Sequence, residues 1–184
     1  MKWLWVAGGS LVVFVILALS LPEEGVPVWD ELLWKAIHPG QGSEPHVFSK
    51  ILDELGSTGA FAGITLVSAA VSWLLKRRAE AMGIIAAVLL SYGLNEVLKL
   101  SFSRIRPDHA GWTHADGFSF PSGNAMVGLA LYGMLVYTVW RSTRSTLWRT
   151  ISLLLGVAII AAAGYARLYY GVHYASDIAA GYAG

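Results

Sequence analysis

The sequence predicts an all-α integral-membrane protein, a bundle of six membrane-spanning helices with the sixth cut short and one short amphipathic helix at the interface. Two observations indicate this fold class. The 184 residues are 55% hydrophobic and only 14% charged, whereas soluble domains average about 25% charged residues. The apolar residues are also gathered into stretches long enough to cross about 30 Å of hydrocarbon. We expect residues 1–184 to form a single domain.

Composition excludes several other classes. The chain has no cysteine, so it can hold neither a disulfide framework nor a thiolate metal site. Its formal net charge is +1, from 13 Lys and Arg against 12 Asp and Glu, which gives no case for nucleic-acid binding. Membrane lipids are the expected partners, and nothing in the sequence indicates an obligate protein partner.

The predicted spans follow one another along the chain. Residues 3–21 carry no charge; a signal peptide is the alternative, but its apolar region is usually about 7–15 residues. Four more spans are predicted at about 57–75, 81–98, 123–140 and 151–165. A sixth begins near His173 and reaches Gly184 after about 12 residues, which is too short to cross a bilayer.

The segment between the first two spans is acidic and is predicted to contain the amphipathic helix. Residues 22–56 hold seven acidic side chains against Lys35 and Lys50. Five apolar residues in this segment recur at helical spacing: Trp29, Leu32, Leu33, Trp34 and Ile37. Such a helix either lies in the membrane interface or packs on the bundle, and the sequence leaves both interpretations open.

Basic residues predict the orientation. Most of them precede the first span or lie in the loops after the second and fourth spans: Lys2, Lys76, Arg77, Arg78, Arg141, Arg144 and Arg149. The positive-inside rule assigns these segments to the cytoplasm and the acidic segment to the outside.

Three polar stretches lie at predicted membrane edges: residues 99–107, 120–124 and 167–177. Taken singly, each has an ordinary explanation, such as cations that extend to the headgroups or a helix cap at Ser122. The predicted topology, however, places all three stretches at the outer face. Cations that merely extend to headgroups do not predict such one-sided clustering.

The residue types in these stretches suit phosphate chemistry. Lys99, Arg106 and Arg167 supply three cations for phosphate oxygens. Ser122 offers a hydroxyl, and Gly123 lets a helix N-terminus approach an anion closely. Glu96, three residues before Lys99, is expected to orient that lysine.

A histidine and a carboxylate complete the candidate site. His173 and Asp177 are four residues apart, so on a helix they would share a face. A carboxylate placed there would hold the imidazole in one tautomer and leave its other nitrogen free to attack phosphorus.

At these residues the chain resembles the type 2 phosphatidic acid phosphatase (PAP2) superfamily of membrane lipid phosphatases. The first part of that signature is Lys, six residues, Arg-Pro, matched by Lys99 and Arg106-Pro107. The second is Pro-Ser-Gly-His, which here reads Pro121-Ser122-Gly123-Asn124. The third is Ser-Arg, five residues, His, three residues, Asp, which here reads Ala166-Arg167, His173 and Asp177.

The resemblance implies a role for each matched residue. His173 would be the nucleophile that forms a phosphohistidine, and Asp177 would orient it. The phosphate would be bound by Lys99, Arg106, Ser122, Gly123 and Arg167. No metal or cofactor is implied. Bacterial members of similar size act on phosphatidylglycerophosphate, phosphatidic acid or undecaprenyl pyrophosphate, which implies the bacterial plasma membrane. The predicted topology places the site on the outside of that membrane.

Two positions depart from the family pattern. Ala166 replaces a serine, with the loss of one hydroxyl contact expected to matter little. Asn124 replaces the histidine that protonates the leaving group, and asparagine cannot give up a proton near neutral pH. A substitution made to disable the enzyme is the simplest explanation, and a natural variant is the alternative. His109, His114 and Asp116 are candidate substitutes in the same outer loop.

Asn124 keeps a second function open, a lipid-phosphate-binding membrane protein without turnover. Replacing this residue by histidine would distinguish the two functions, because only a disabled enzyme would regain phosphatase activity. A transporter or channel is disfavoured, since the predicted spans carry almost no charge at mid-membrane depth.

Overall fold

The computed structural model describes residues 2–22, 25–37, 51, 54–107 and 115–184, and within these ranges the chain forms seven α-helices and no strand. The all-α prediction is confirmed. The helices are α1 (Lys2–Leu19), α2 (Val28–Ile37), α3 (Thr58–Leu74), α4 (Arg78–Phe102), α5 (Gly123–Ser142), α6 (Thr146–Tyr169) and α7 (Ala175–Ala183).

Helices α4, α5 and α6 are long and apolar enough to cross a membrane. The apolar stretch of α1, Leu4–Leu19, and helix α3 are shorter. At about 1.5 Å per residue they still measure about 24 Å or more. Helix α7 has nine residues, in line with the short final helix expected. A multi-spanning helical membrane protein is therefore the observed class, while the count of six spans stays a prediction.

Helix α5 lies at the centre of the bundle. It packs against α3, α4, α6 and α7, and α1 packs against α7. The main core joins α3, α4 and α5 and consists of Phe61, Ile84, Val88, Val127, Leu131 and Tyr132. Many other large apolar side chains are exposed along α1, α3, α4 and α6, which is the pattern of helices that face lipid.

Helix α2 combines the two interpretations that the sequence left open. Its Asp30 is only 1% exposed and is bonded to α7, so the helix packs on the bundle. Val28 and Leu32 are exposed, so an apolar surface of the same short helix is left for the membrane interface. The rest of the acidic segment lies mostly outside the described residues.

The two ends of the bundle differ in character. Arg77, at the turn between α3 and α4, donates to Ser142 Oγ and, at 3.4 Å, to the Thr138 carbonyl of α5. The predicted basic loops therefore meet at one end. The stretches that contain Lys99 and Ser122 meet at the other end, because α4 and α5 run antiparallel between these two points.

Candidate active site

A cavity of about 880 Å³ lies at the end of the bundle opposite the basic loops. It brings together six of the eight predicted site residues, contributed by four separate parts of the chain: Lys99, Arg106, Gly123, Asn124, Arg167 and His173. The other two, Ser122 and Asp177, are fully buried directly behind this lining. From the polar end the cavity continues between α3 and α4, where apolar side chains line it: Phe61, Ala62, Leu66, Ile85, Val88, Leu89 and Val127.

His173 lies in the turn between α6 and α7, and not on a helix as its spacing from Asp177 suggested. The two side chains meet because Asp177 is the third residue of α7 and folds back over the start of that helix. Its Oδ2 accepts the Tyr174 backbone N–H at 2.8 Å and lies 3.4 Å from His173 Nδ1. Asp177 thus caps α7 and faces the imidazole with the same oxygen.

The electrostatics of the site keep His173 neutral. The ring is 2% exposed, and burial lowers its pKa from 6.5 to about 4, against the opposing effect of Asp177. Arg106 and Arg167 add to the lowering through their charge. A neutral imidazole keeps one nitrogen lone pair, which is the form that nucleophilic attack requires.

Arg106 determines which nitrogen carries that lone pair. Its Nη1 lies 3.2 Å from His173 Nε2, and a guanidinium nitrogen can only donate. Nε2 is therefore the acceptor, and the ring proton is on Nδ1, towards Asp177. Three backbone carbonyls hold the guanidinium in place: Val172 at 2.9 Å, Asp116 at 2.8 Å and Gly117 at 3.1 Å. Burial is the main cause that lowers the pKa of Arg106, and the positive charge of Arg167 lowers it further.

Lys99 and Gly123 lie side by side where α4 meets the start of α5. Lys99 Nζ is 3.6 Å from Glu96, so the predicted orienting contact is present. A Cβ at position 123 would lie 2.9 Å from Asn95 Oδ1 and 3.7 Å from Lys99 Nζ. Only glycine allows this approach without displacing Asn95, whose Nδ2 donates to the Pro121 carbonyl at 3.1 Å.

Ser122 occupies the N-cap position of α5, but its hydroxyl does not cap the helix. The residue is fully buried, and its Oγ has no hydrogen-bond partner among the described residues. Its backbone N–H donates to the Asp177 carbonyl at 2.9 Å, which joins the start of α5 to α7. A buried hydroxyl without a partner costs roughly 1–3 kcal/mol, and an anion in the adjacent cavity would supply the missing acceptor.

The two departures from the family pattern differ in their surroundings. Asn124 is half-buried and lines the cavity. Ala166 is buried in a small apolar cluster with Tyr170 and Val172 and is not part of the cavity lining. Of the candidate substitutes for the missing acid, Asp116 lines the cavity but is exposed; His109 and His114 lie outside the described residues.

Sequence reasoning missed a buried ionic cluster behind Asp177. Arg104 bridges two carboxylates: its Nη1 donates to Asp177 Oδ1 at 2.6 Å, and its Nη2 donates to Asp30 Oδ2 at 3.1 Å. Arg104 had an ordinary explanation as a cation extending to the headgroups, and Asp30 as one of the polar residues of the predicted amphipathic helix. Asn95 was also missed. A polar residue four positions before Lys99, and so on the same face of α4, was the available signal.

Among the residues that the structure describes, no group of three or more His, Asp or Glu side chains is arranged to hold a metal ion. The polar end of the cavity instead presents cations, the α5 N-terminus and one neutral imidazole. This set of donors suits a phosphate group.

A cavity that presents cations, a helix N-terminus and a buried histidine, built into a helical membrane bundle, suits a membrane protein that acts on phosphate groups. The chain belongs to the PAP2 superfamily, whose profile matches residues 80–183. It is 27% identical over 175 residues to phosphatidylglycerophosphatase B of Bacillus subtilis (strain 168), a match that covers 92% of this chain and 84% of that protein.

Two solved structures share the fold. The crystal structure of a transmembrane PAP2-type phosphatidylglycerolphosphate phosphatase from Bacillus subtilis superposes with a TM-score of 0.87 at 22% identity, over 97% of this chain and 90% of that one. The structure of Aquifex aeolicus LpxE superposes with a TM-score of 0.63 at 22% identity, over 88% and 92% of the two chains. At these identities the likeness concerns the fold alone.

Proposed function

We propose that this protein is a phosphatase of membrane lipid phosphates and pyrophosphates that acts through a phosphohistidine on His173. The observation that carries the proposal is the position of the buried His173, between Arg106 and Asp177, at the polar end of a cavity whose other end is apolar. A phosphorylated lipid has the same division between a charged head and an apolar tail. Membership of the PAP2 superfamily and the name of the Bacillus subtilis relative support phosphatidylglycerophosphate as the first substrate to test.

Substrate binding would use the cations and the start of α5. Lys99, Arg106 and Arg167 would contact the phosphate oxygens, with the Ser122 hydroxyl and the Gly123 backbone as further donors. The tail would occupy the groove between α3 and α4, whose lining residues Leu66 and Leu89 are exposed at the bundle surface. A lipid could therefore enter sideways from the bilayer.

The chemical step would begin at His173. Arg106 Nη1 turns from Nε2 to a phosphate oxygen, and Nε2 then attacks phosphorus and forms an N–P bond. The bond between phosphorus and the lipid oxygen breaks, and that oxygen takes a proton from the solvent. The positive charge that the ring gains is balanced by Asp177, and the 3.4 Å separation leaves room for this contact to tighten. Water then attacks phosphorus and breaks the N–P bond. Inorganic phosphate leaves, the ring is neutral again, and the proton lost by water returns to the solvent.

Asn124 stands where the family pattern has the residue that protonates the leaving oxygen. Loss of a general acid typically lowers the rate by about 10²–10⁴. A monoester leaves as a poor alkoxide and needs this proton, whereas a pyrophosphate leaves as a phosphate anion that needs it less. We therefore expect impaired monoester hydrolysis in this chain and better-preserved pyrophosphate hydrolysis.

The location follows from the charge distribution of the bundle. The basic end at Arg77 and Arg141 fits the cytoplasmic side under the positive-inside rule. The site lies at the opposite end, which supports a position at the outer leaflet of a bacterial plasma membrane. Cysteine labelling of an exposed basic-end position such as Arg144→Cys in intact cells would contradict this orientation if impermeant reagents reached it.

The test of the function is phosphate release in detergent without divalent metal. Phosphatidylglycerophosphate and undecaprenyl pyrophosphate are compared for the chain itself, for Asn124→His, and for Asn124→His combined with His173→Ala. Activity that appears or rises with Asn124→His and disappears with His173→Ala supports the phosphohistidine enzyme.

The same assay addresses the alternative of a lipid-phosphate binder without turnover, which Asn124 favours. The binding function is supported if neither the chain nor its Asn124→His variant releases phosphate from either lipid, while both proteins bind the lipid. Release that persists after His173→Ala would contradict the proposed nucleophile.

A further inference from the structure

Arg104 lies at one of the six unspecified positions between Lys99 and Arg106, so the family signature gives it no role. In the structure its contacts are not those of a surface cation. It donates to Asp177, Ser176 and Asp30, with nitrogen–oxygen distances of 2.6, 2.6 and 3.1 Å. Its guanidinium also lies 4.1 Å from the centre of the Tyr174 ring, an arrangement that favours a cation.

Asp30 holds Arg104 from the opposite side. Its carboxylate accepts the Ser176 backbone N–H at 2.8 Å, the Ser176 hydroxyl at 2.6 Å and Arg104 Nη2 at 3.1 Å. The Asp30 and Asp177 side chains are both fully buried, and Arg104 is 11% exposed. A single guanidinium thus bridges two buried carboxylates, one on α2 and one on α7, through charge-assisted hydrogen bonds.

We propose that Arg104, held by Asp30, is a positioning residue for the His173–Asp177 pair. By binding Asp177 Oδ1, Arg104 fixes the carboxylate so that Oδ2 faces the imidazole. By sharing the negative charge of Asp177, it also keeps that carboxylate from drawing a second proton onto the ring. The inference rests on the proposed nucleophilic role of His173, and it adds α2, which lies outside the family match, to the machinery of the site.

The sign of the electrostatic effect follows from the groups around the imidazole. The charged groups that face or surround it come from every packed element: Asp177 of α7, Arg104 and Arg106 after α4, Lys99 and Glu96 of α4, Asp116 before α5, Arg167 of α6, and Asp30 and Glu31 of α2. Without Arg104, Asp177 would face the ring with an unshared charge and favour the imidazolium. His173 would then take up its second proton at a higher pH and lose its lone pair.

The test measures phosphate release from undecaprenyl pyrophosphate against pH, together with kcat and KM, for the parent chain and its variants. For Arg104→Gln we expect the acidic limb of the plot of kcat against pH to move to a pH about one unit higher. We also expect kcat at neutral pH to fall about tenfold or more. KM should change little, because Arg104 does not line the cavity. For Arg104→Lys, which keeps the charge but not the bidentate fork, the limb should stay near the parent position while kcat falls.

Asp30→Asn should lower kcat without raising the limb, since Arg104 then binds Asp177 alone. The matched controls are Lys35→Gln, an exposed charged residue of α2 outside the cavities that His173 lines, and Arg144→Gln, an exposed arginine at the other end of the bundle. Neither control should change the profile. The double variant Asp30→Asn/Arg104→Gln removes one charge of each sign, so Asp30 is not left as a buried carboxylate without its cation.

If Arg104 is merely structural, the double variant recovers the parent pH profile; if it is a positioning residue, the raised limb remains. A folded Arg104→Gln protein with the parent limb would overturn the proposal. Titration of the His173 ring by ¹⁵N NMR, assigned with His173→Gln, gives the same answer without turnover. A parent chain that releases no phosphate would count against the proposed function, and the NMR titration would still decide the role of Arg104.

Discussion

A methyl group added at Gly181 tests how closely the phosphate site depends on helix packing. A Cβ there would lie 2.6 Å from the Ser122 carbonyl oxygen and 2.8 Å from Ala125 Cβ. Carbon atoms pack at about 3.5–4.0 Å, so α5 and α7 must separate by roughly 1 Å. Both obstacles are backbone or Cβ atoms and cannot rotate away. Overpacking of this kind costs about 1–3 kcal/mol, against a gain of about 1 kcal/mol from replacing a helical glycine by alanine.

Gly133, in α5, provides the matched control, because a Cβ there meets nothing within 4 Å. Gly133→Ala should stabilise the protein by about 1 kcal/mol. Gly181→Ala should therefore be about 1–3 kcal/mol less stable than the control, a difference set by the clash alone. It should also lose phosphate release up to about 10²-fold, because Ser122 moves with α5.

Thermal unfolding in detergent and phosphate release are measured for both variants. Equal unfolding temperatures and equal rates for the two variants would refute the reasoning, since they would mean that α5 and α7 can separate freely and that the position of Ser122 does not matter.

Three further predictions concern the site and its groove. Asn124→His should raise phosphatidylglycerophosphate hydrolysis by about 10²–10⁴ and undecaprenyl pyrophosphate hydrolysis much less; equal gains in the paired assays would contradict the leaving-group explanation. Because the pKa of folded His173 is lowered to about 4, the unfolded chain binds a proton first as the pH falls below about 6.5. The free energy of unfolding should thus be highest above about pH 6.5 and fall by about 3 kcal/mol towards pH 4. In denaturation experiments at different pH values, the free energy of unfolding of His173→Gln should fall less steeply with decreasing pH. Ala62→Trp, in the groove, should slow hydrolysis of long-chain lipid more than that of a dioctanoyl analogue, whereas Ala70→Trp, exposed on α3 outside the groove, should slow neither.

The sequence predicted the helical class and the meeting of the motifs because both follow from local signals. Hydrophobic stretches of membrane length need no knowledge of tertiary contacts. Once the topology was assigned, the alternation of helix directions was enough to bring Lys99, Gly123 and His173 to one end, as the cavity lining shows.

The ionic cluster could not be predicted in the same way. Arg104 and Asp30 are 74 residues apart, and Asp30 and Ser176 are 146 residues apart, so no spacing rule relates them. The contact between His173 and Asp177 was predicted for a geometric reason that is wrong. Their four-residue spacing suggested one helical face, but the histidine precedes α7, and the aspartate reaches it by capping that helix.

The groove between α3 and α4 also affects how substrate concentration must be expressed. A lipid that enters through exposed Leu66 and Leu89 never leaves its leaflet, so encounters with the protein occur in two dimensions. Under the proposed function, velocity should saturate with the mole fraction of substrate in the bilayer or micelle. Diluting that surface with an inert lipid should slow turnover even when the amount of substrate per litre is held constant.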